Sequence, residues 1–457
     1  MSTKNIEEAT ATTKTQSGIT EASVTDSIRF FTKVLLPTVA CGVIKRRPLA
    51  MAISERLKTD QKAVAFLRSL RQHYGPGPLR LQVPGRSFLL ILGVPDVKRV
   101  LSETPQPFSP ASQEKQRALT KFQPHGVLIS DQVARDKRRR FNENVLDHGQ
   151  SLHALADPIA AHVHEESNHL RTQFTSILDW EYFNATWWRA VRRTVFGNTA
   201  ADDSDLISLL DSLRRSANWA QFGRRRHQAR ADFAKRLQTH LEQPEPGSLA
   251  HSIAHSPLSS SSAPHDQVAH WLFAFDAAGI ATARSLALLS THSQHMAQAQ
   301  EELGNVDLSQ PSVFPLLQAS VLESLRLWPT TPVLLRESTE ETTWHGTQVP
   351  KGTSFFVFTP LFHRDPERLP YADHFVPEIW LDGPAPEESA LVPFSDGPAK
   401  CPGRNLVLFF SSSVLAHLVK DHNVTLLSHR SWKETRPLPV SLNPFSLRFL
   451  LARSPAE

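Results

Sequence analysis

Residues 393–412 read PFSDGPAKCPGRNLVLFFSS, a turn rich in Gly and Pro that presents one cysteine and runs into an apolar helix. Phe394, Gly397, Cys401 and Gly403 stand at F-x-x-G-x-x-x-C-x-G spacing. A thiolate that binds a metal must be fixed, shielded from water and stabilised as an anion. Glycines at 397 and 403 let the backbone approach a large flat ligand or take φ > 0. Pro402 is placed to open the helix that Leu406, Val407, Leu408, Phe409 and Phe410 continue. Cys401 then sits at the positive end of that helix, where unpaired N–H groups favour a thiolate, and Phe394 supplies an apolar cover. From these residues alone the alternative is a buried free cysteine beside a turn.

Upstream, LLQASVLESLRLWP (316–329) sets Glu323 and Arg326 three residues apart among leucines, followed by Pro329. An i,i+3 ion pair is common on solvated helices; embedded in so apolar a run it reads as buried and structural. With both motifs in this order the chain resembles the cytochrome P450 family, over roughly residues 70–452. The resemblance implies a mainly α fold with a small β-rich lobe, one domain over residues 26–457, haem b as cofactor, and Cys401 as the iron ligand. It also implies a monomer.

Composition is compatible with this. The 457 residues are 40% hydrophobic and 21% charged, enough for a large core. Two cysteines, Cys41 and Cys401, leave no disulfide framework if one is a ligand, which suits a reducing, cytoplasmic compartment. The net charge of +5 comes without an aromatic-interleaved basic patch, so nucleic acid is not an expected partner; an acidic electron-transfer protein is the better use of that charge. Residues 1–25, rich in Thr, Ser and Glu, read as a disordered tail. The apolar run Val34 to Ile44 is interrupted by Pro37 and Gly42 and is too short to span a bilayer, although the Lys45, Arg46, Arg47 cluster behind it leaves a peripheral membrane contact open.

Along the chain, Leu79 to Val83 and Ser87 to Leu92 flank a Pro84-Gly85 turn and predict a hairpin, followed by a short helix after Pro95 and a loop from Glu103 to Leu128 over the substrate pocket. DQVARDKRRRFNENVLDH (131–148) predicts a basic helix. The resemblance implies that Arg135 and Arg139, one turn apart, reach the haem propionates, together with Arg336. The run SPLSSSSAP (256–264) is a connector by composition. In the long helix that follows, Phe275, Ala278, Gly279 and Thr282 fall at i, i+3, i+4 and i+7 on one face. By resemblance that face lies over the haem: Ala278 and Gly279 leave room for O2, Thr282 offers a hydroxyl to it, and Phe275, Val333 and Leu334 face the substrate.

Three positions depart from the family pattern. Ala281 stands where an acid usually precedes the threonine, Ala399 where a basic residue pairs a propionate, and Ile379 where an arginine supports the Glu323–Arg326 pair. The function implied is a monooxygenase that activates O2 to oxidise a lipophilic small molecule, with electrons from a separate ferredoxin and ferredoxin reductase or another donor. Ala281 motivates the alternatives: a peroxide-driven or non-redox haem-thiolate enzyme, or a haem protein that binds ligands without turnover.

Overall fold

Two short stretches, FLL (88–90) and the aromatic-rich SFFVF (354–358), are mostly apolar and too short for helices, and they become the centre of a sheet. In the computed structural model, which describes residues 18–173, 177–219, 226–256, 261–383, 385 and 390–453, this sheet has six strands. They are β1 (Thr20–Glu21), β2 (Leu79–Arg80), β3 (Phe88–Leu90), β4 (Phe108–Ser109), β6 (Val333–Ser338) and β9 (Ser354–Phe358), in the order β1-β2-β3-β9-β6-β4. The hairpin expected around Pro84-Gly85 is β2–β3, with Leu79 opposite Leu90. β5 (Ile177–Asp179) pairs with β11 (Arg448–Arg453), itself paired with β10 (His422–Leu426), while β7 (Thr342–Trp344) and β8 (Thr347–Val349) form a separate hairpin.

The rest is helical. The central helix Pro264–Thr291 is apolar nearly all round and packs against the helices Trp180–Phe196, Pro315–Leu327 and Arg404–Val419. A helix without a polar stripe belongs inside a protein. Length and composition alone would let it cross a membrane, but 83% of its most apolar stretch is buried here. The main core surrounds this helix, and a second cluster lies under the six-stranded sheet.

The N-terminal boundary differs from the expected tail through residue 25. Thr20 and Glu21 pair in parallel with Leu79 and Arg80, and a helix begins at Val24, its N-terminus capped by the Ser23 hydroxyl accepting from the Asp26 N–H. Composition misses this because the segment folds only against a distant strand. Residues 1–17 and 257–260, the latter within the expected connector, lie outside the described residues.

Candidate active site

The cysteine turn is built by backbone bonds. Cys401 N–H donates to the Phe394 carbonyl at 3.0 Å and Lys400 N–H to that of Gly397 at 2.9 Å. Gly397 has φ +64°, and a Cβ there would lie 2.2 Å from the Leu101 carbonyl oxygen, so the turn admits only glycine. The helix starts at Arg404, two residues beyond Pro402, with Gly403 at its N-cap.

Cys401 lies deep among protein atoms and keeps some accessible surface. Burial pushes its thiol up, against the Gly403 N–H aimed at sulfur and the charges of Arg139 and Arg404. A sulfur held this way becomes a thiolate when a cation bonds to it.

On the cationic side of the site, Arg336, Arg135 and Lys115 give their hydrogen bonds to neutral oxygens. Arg336 is buried, with Nε on Thr104 Oγ1 at 3.0 Å, Nη1 on the Leu335 carbonyl at 3.0 Å and Nη2 near Ser395 Oγ at 3.3 Å. Arg135 is buried and gives Nη1 to the Val127 carbonyl at 3.0 Å. The segment expected to be a loop from Glu103 to Leu128 holds a helix, Gln113–Leu119, and from it Lys115 reaches the Pro110 and Leu335 carbonyls. Each is bonded to neutral oxygens, and each repels another of the set. Burial and then Arg139 hold Arg135 down to about 10, burial and then Arg135 do the same for Arg336, and burial, Arg336 and Arg135 push Lys115 well below the lysine range. Mutually repelling buried cations call for an anion among them. Arg139 differs: Nε pairs with Glu143 at 2.6 Å and Nη1 takes the Lys400 carbonyl at 2.5 Å, so it clamps the cysteine turn.

The expected ion pair is present. Glu323 and Arg326 meet through two bonds, Nε–Oε2 at 2.5 Å and Nη2–Oε1 at 2.7 Å, in complete burial. Arg326 spends its other donors on the carbonyls of His363, Ala372 and His374. The place left by Ile379 is taken by its neighbour: Trp380 Nε1–H donates to Glu323 at 3.0 Å, and Val376 N–H at 2.9 Å.

On the central helix, Phe275 and Gly279 depart from the expectation. Phe275 packs in the core, its ring 5.3 Å from Phe410 of the cysteine helix, and its carbonyl accepts the Trp187 indole N–H at 3.0 Å. Gly279 lies against the same indole: a Cβ there would sit 2.9 Å from Trp187 Nε1, so its smallness serves helix packing. The residues of this stretch that keep accessible surface are His270, Phe273, Ala274 and Ala277, again at i, i+3, i+4 and i+7. Phe273 meets Phe122 of the overlying loop. His270 is enclosed by protein, its Nδ1 has no hydrogen-bond partner among the described residues, and burial holds its imidazole down to about 4. Ala278 and Thr282 are buried, and the Thr282 hydroxyl donates to the Ala278 carbonyl at 2.9 Å. On β6, Val333 and Leu334 necessarily point to opposite faces; Leu334 shares that of Arg336. The shared pocket orientation expected for them is therefore corrected to one of the two.

Lys115 and His270 were missed by sequence reasoning. Lys115 lies on the short helix Gln113–Leu119, in a segment whose composition reads as loop. His270 could have been found by asking which polar residue interrupts an otherwise apolar helix.

A family model described as cytochrome P450 matches residues 267–449, from the second turn of the central helix into β11. Everything built above falls in or against that stretch. Over these residues the chain is similar to the cytochrome P450 family. Among curated P450s, a putative cytochrome P450 cyp-13B1 of Caenorhabditis elegans is 34% identical over 165 residues, covering 33% of this chain and 32% of the relative. Cytochrome P450 705A1 of Arabidopsis thaliana is 32% identical over 161 residues, covering 32% and 31%. The matched stretch thus spans about a third of the curated relatives' length. A crystal structure of a cytochrome P450, CYP102L1, superposes with a TM-score of 0.67 over 86% of this chain and 94% of that one, at 19% identity; that likeness concerns the fold.

The P450 cofactor is haem, iron protoporphyrin IX, and the residues present fit it. A soft sulfur donor stands at the head of the helix Arg404–Val419, and Arg135, Arg336 and Lys115 have no carboxylate among their hydrogen-bond partners, the place two propionates would take.

Proposed function

We propose that this protein is a P450 monooxygenase that uses O2 and electrons from a separate protein to oxidise a lipophilic small molecule. The observation that carries the reading is the pairing of Cys401, fixed at the head of an apolar helix, with a cluster of cations that bond only neutral oxygens and repel one another. Haem bound through Cys401 would supply oxygen activation, with the thiolate feeding electron density to iron.

The chain's own residues account for what surrounds that chemistry. Gly403 N–H, Arg139 and Arg404 stabilise the sulfur anion. Arg336, Arg135 and Lys115 would hold the carboxylates of the bound haem and so orient it. Phe122, Phe273, Ala274 and Ala277 give an apolar, water-excluding wall, which selects a lipophilic substrate. Thr282 is the hydroxyl on this helix that would manage a proton: its own proton is held by the Ala278 carbonyl, leaving oxygen lone pairs to accept. Ala281 carries no proton, and Asp276 is engaged with Lys45 at 3.0 Å and Arg214 at 2.8 Å. Protons must therefore come through water or a polar group of the substrate.

The test is the absorption spectrum of the reduced, carbon-monoxide-treated protein. Wild type is expected to give the thiolate-type band and Cys401→Ala to lose it; a colourless protein, or a band indifferent to Cys401→Ala, overturns the reading. Ala281 favours a second reading, turnover driven by peroxide. Product formed with hydrogen peroxide, but none with NAD(P)H plus surrogate redox proteins, selects it.

A further inference from the structure

The stretch CGVIKRR (41–47) folds into a tight turn that depends on Gly42: its φ is +85°, and a Cβ there would lie 2.1 Å from the Lys45 carbonyl oxygen. From this turn Arg46 donates through Nη1 to the Gly42 carbonyl at 3.0 Å and through Nη2 to the Thr330 carbonyl at 2.7 Å. A second arginine arrives from the central helix. Arg284 is 5% exposed and donates through Nη1 to the Trp328 carbonyl at 2.7 Å and through Nη2 to the Leu442 carbonyl at 3.2 Å. Its Nε has no hydrogen-bond partner among the described residues.

Both arginines line one cavity of about 50 Å³. A water needs roughly 10–15 Å³ of such space, so this one has room for about a carboxylate and the carbon behind it. Asp60, in the first turn of the helix Thr59–Tyr74, and Cys41 also line it, and Met51, Leu327 and Leu442 make part of the wall apolar. Arg284 falls seven residues beyond Ala277, on the stripe of the central helix that carries His270, Phe273, Ala274 and Ala277. The cavity therefore lies on the same side of that helix as the apolar wall, about 10 Å further along its axis.

Charge around this cavity does not balance. Neither arginine has a carboxylate among its hydrogen-bond partners. Among the described residues, Asp60 is the only acid lining the space. Burial pushes its carboxyl up, beyond what Ser441, Arg46, Arg284 and Arg364 pull back. Cys41 adds no charge, because burial pushes its thiol up as well. Nearby groups are engaged elsewhere, Asp276 with Lys45 and Arg214, Glu55 with His429, and Arg364 with Asp373. Burial and then Arg46 hold Arg284 down to about 9. Two cations against one acid leave a positive excess that an anion relieves. A guanidinium presents its donors as a planar fork that matches the two oxygens of a carboxylate, and an apolar wall suits the carbon behind them.

We infer that this cavity is a binding site for an organic carboxylate, held by Arg46 and Arg284. A free small acid and the head of a lipophilic acid that is itself the substrate present the same group to the same two arginines. The site stands on its own residues; only the second source rests on the reaction proposed above.

The experiment is calorimetric titration of the full chain, loaded with haem, with sodium butyrate at an ionic strength fixed by sodium chloride. Wild type is expected to take up butyrate saturably. Arg46→Met and Arg284→Met should each weaken that uptake about tenfold or more while keeping the wild-type haem spectrum, since each removes charge-assisted hydrogen bonds. Asp60→Asn, which removes the opposing charge and keeps the shape, should tighten it several-fold. Decanoate then separates the two sources. If it displaces imidazole from the haem and Arg284→Met abolishes that displacement, the site holds the head of a substrate; if it leaves imidazole in place, the site takes a free acid. Wild type that takes up no butyrate overturns the proposal, as does an arginine variant with the wild-type spectrum that binds like wild type. Where the arginine variants do not fold, Asp60→Asn decides, and uptake no tighter than that of wild type overturns the proposal.

Discussion

Lys115, Arg135 and Arg336 repel one another in a buried space, and the consequence is testable without any substrate. In the haem-free protein the depressed pKa of Lys115 means that folding is penalised while the amine is charged in both states. Stability should rise with pH from its folded pKa up to the ordinary lysine range, because there the unfolded chain binds the extra proton. Thermal melts of the haem-free protein should show this rise, and Lys115→Met should flatten it, melt higher, and yet lose haem several-fold faster to an acceptor protein. His270 makes a second residue-scale case. Its imidazole stays neutral above about pH 4, so it can read a hydroxyl or carbonyl without bringing charge. His270→Phe is expected to weaken a hydroxyl-bearing ligand about tenfold in a spectral titration, and to leave the matched ligand without the hydroxyl unchanged.

At the scale of elements, the Glu323–Arg326 pair joins the helix Pro315–Leu327 to the segment 363–380 through carbonyls and the Trp380 indole. Arg326→Leu strands a buried carboxylate and should cost about 3–5 kcal/mol in denaturant unfolding, whereas Trp380→Phe, which removes one donor, should cost about 1–2 kcal/mol. The sequence makes this pair legible because three residues and a leucine-rich frame suffice to define it, and the cysteine turn is legible for the same reason of local spacing. On the central helix, Phe275 and Gly279 were read as facing the pocket and instead serve packing. A helix apolar on every side has no polar stripe to mark inside from outside, so nothing in residues 275–282 says that Phe275 meets Phe410 or that Gly279 makes room for Trp187. On β6 the failure was different, since strand alternation already forbids Val333 and Leu334 from sharing a face.

For the whole molecule, long-range ties decide what composition leaves open. Lys115 was invisible because its neighbours, Arg135 and Arg336, lie far from it in sequence. The exposure of Leu49 and Leu57 on the helix Pro48–Leu57 was equally hidden, because a pattern of period 3.6 looks the same whether its apolar side faces in or out. One such tie joins the N-terminal segment to the central helix: buried Asp276 accepts from Lys45 and Arg214. Burial alone would raise that carboxyl, and the two cations outweigh it and hold it well below the carboxylate range. Its contribution is therefore complete above the ordinary aspartate pKa and fades as the medium is acidified below it. Asp276→Asn should speed amide exchange in residues 24–57, measured by mass spectrometry, with the exchange of the helix Arg404–Val419 unaffected.

The short parallel strand at Thr20–Glu21 and the burial of Phe30 also bear on how this protein can be handled at the bench. A truncation that removes residues 18–40, as one might design to improve expression, would uncover the backbone edge of β2 and strip an aromatic lid from Phe88 and Phe356. Bare strand edges beside greasy rings recruit one another, so the shortened chain would be expected to arrive as inclusion bodies.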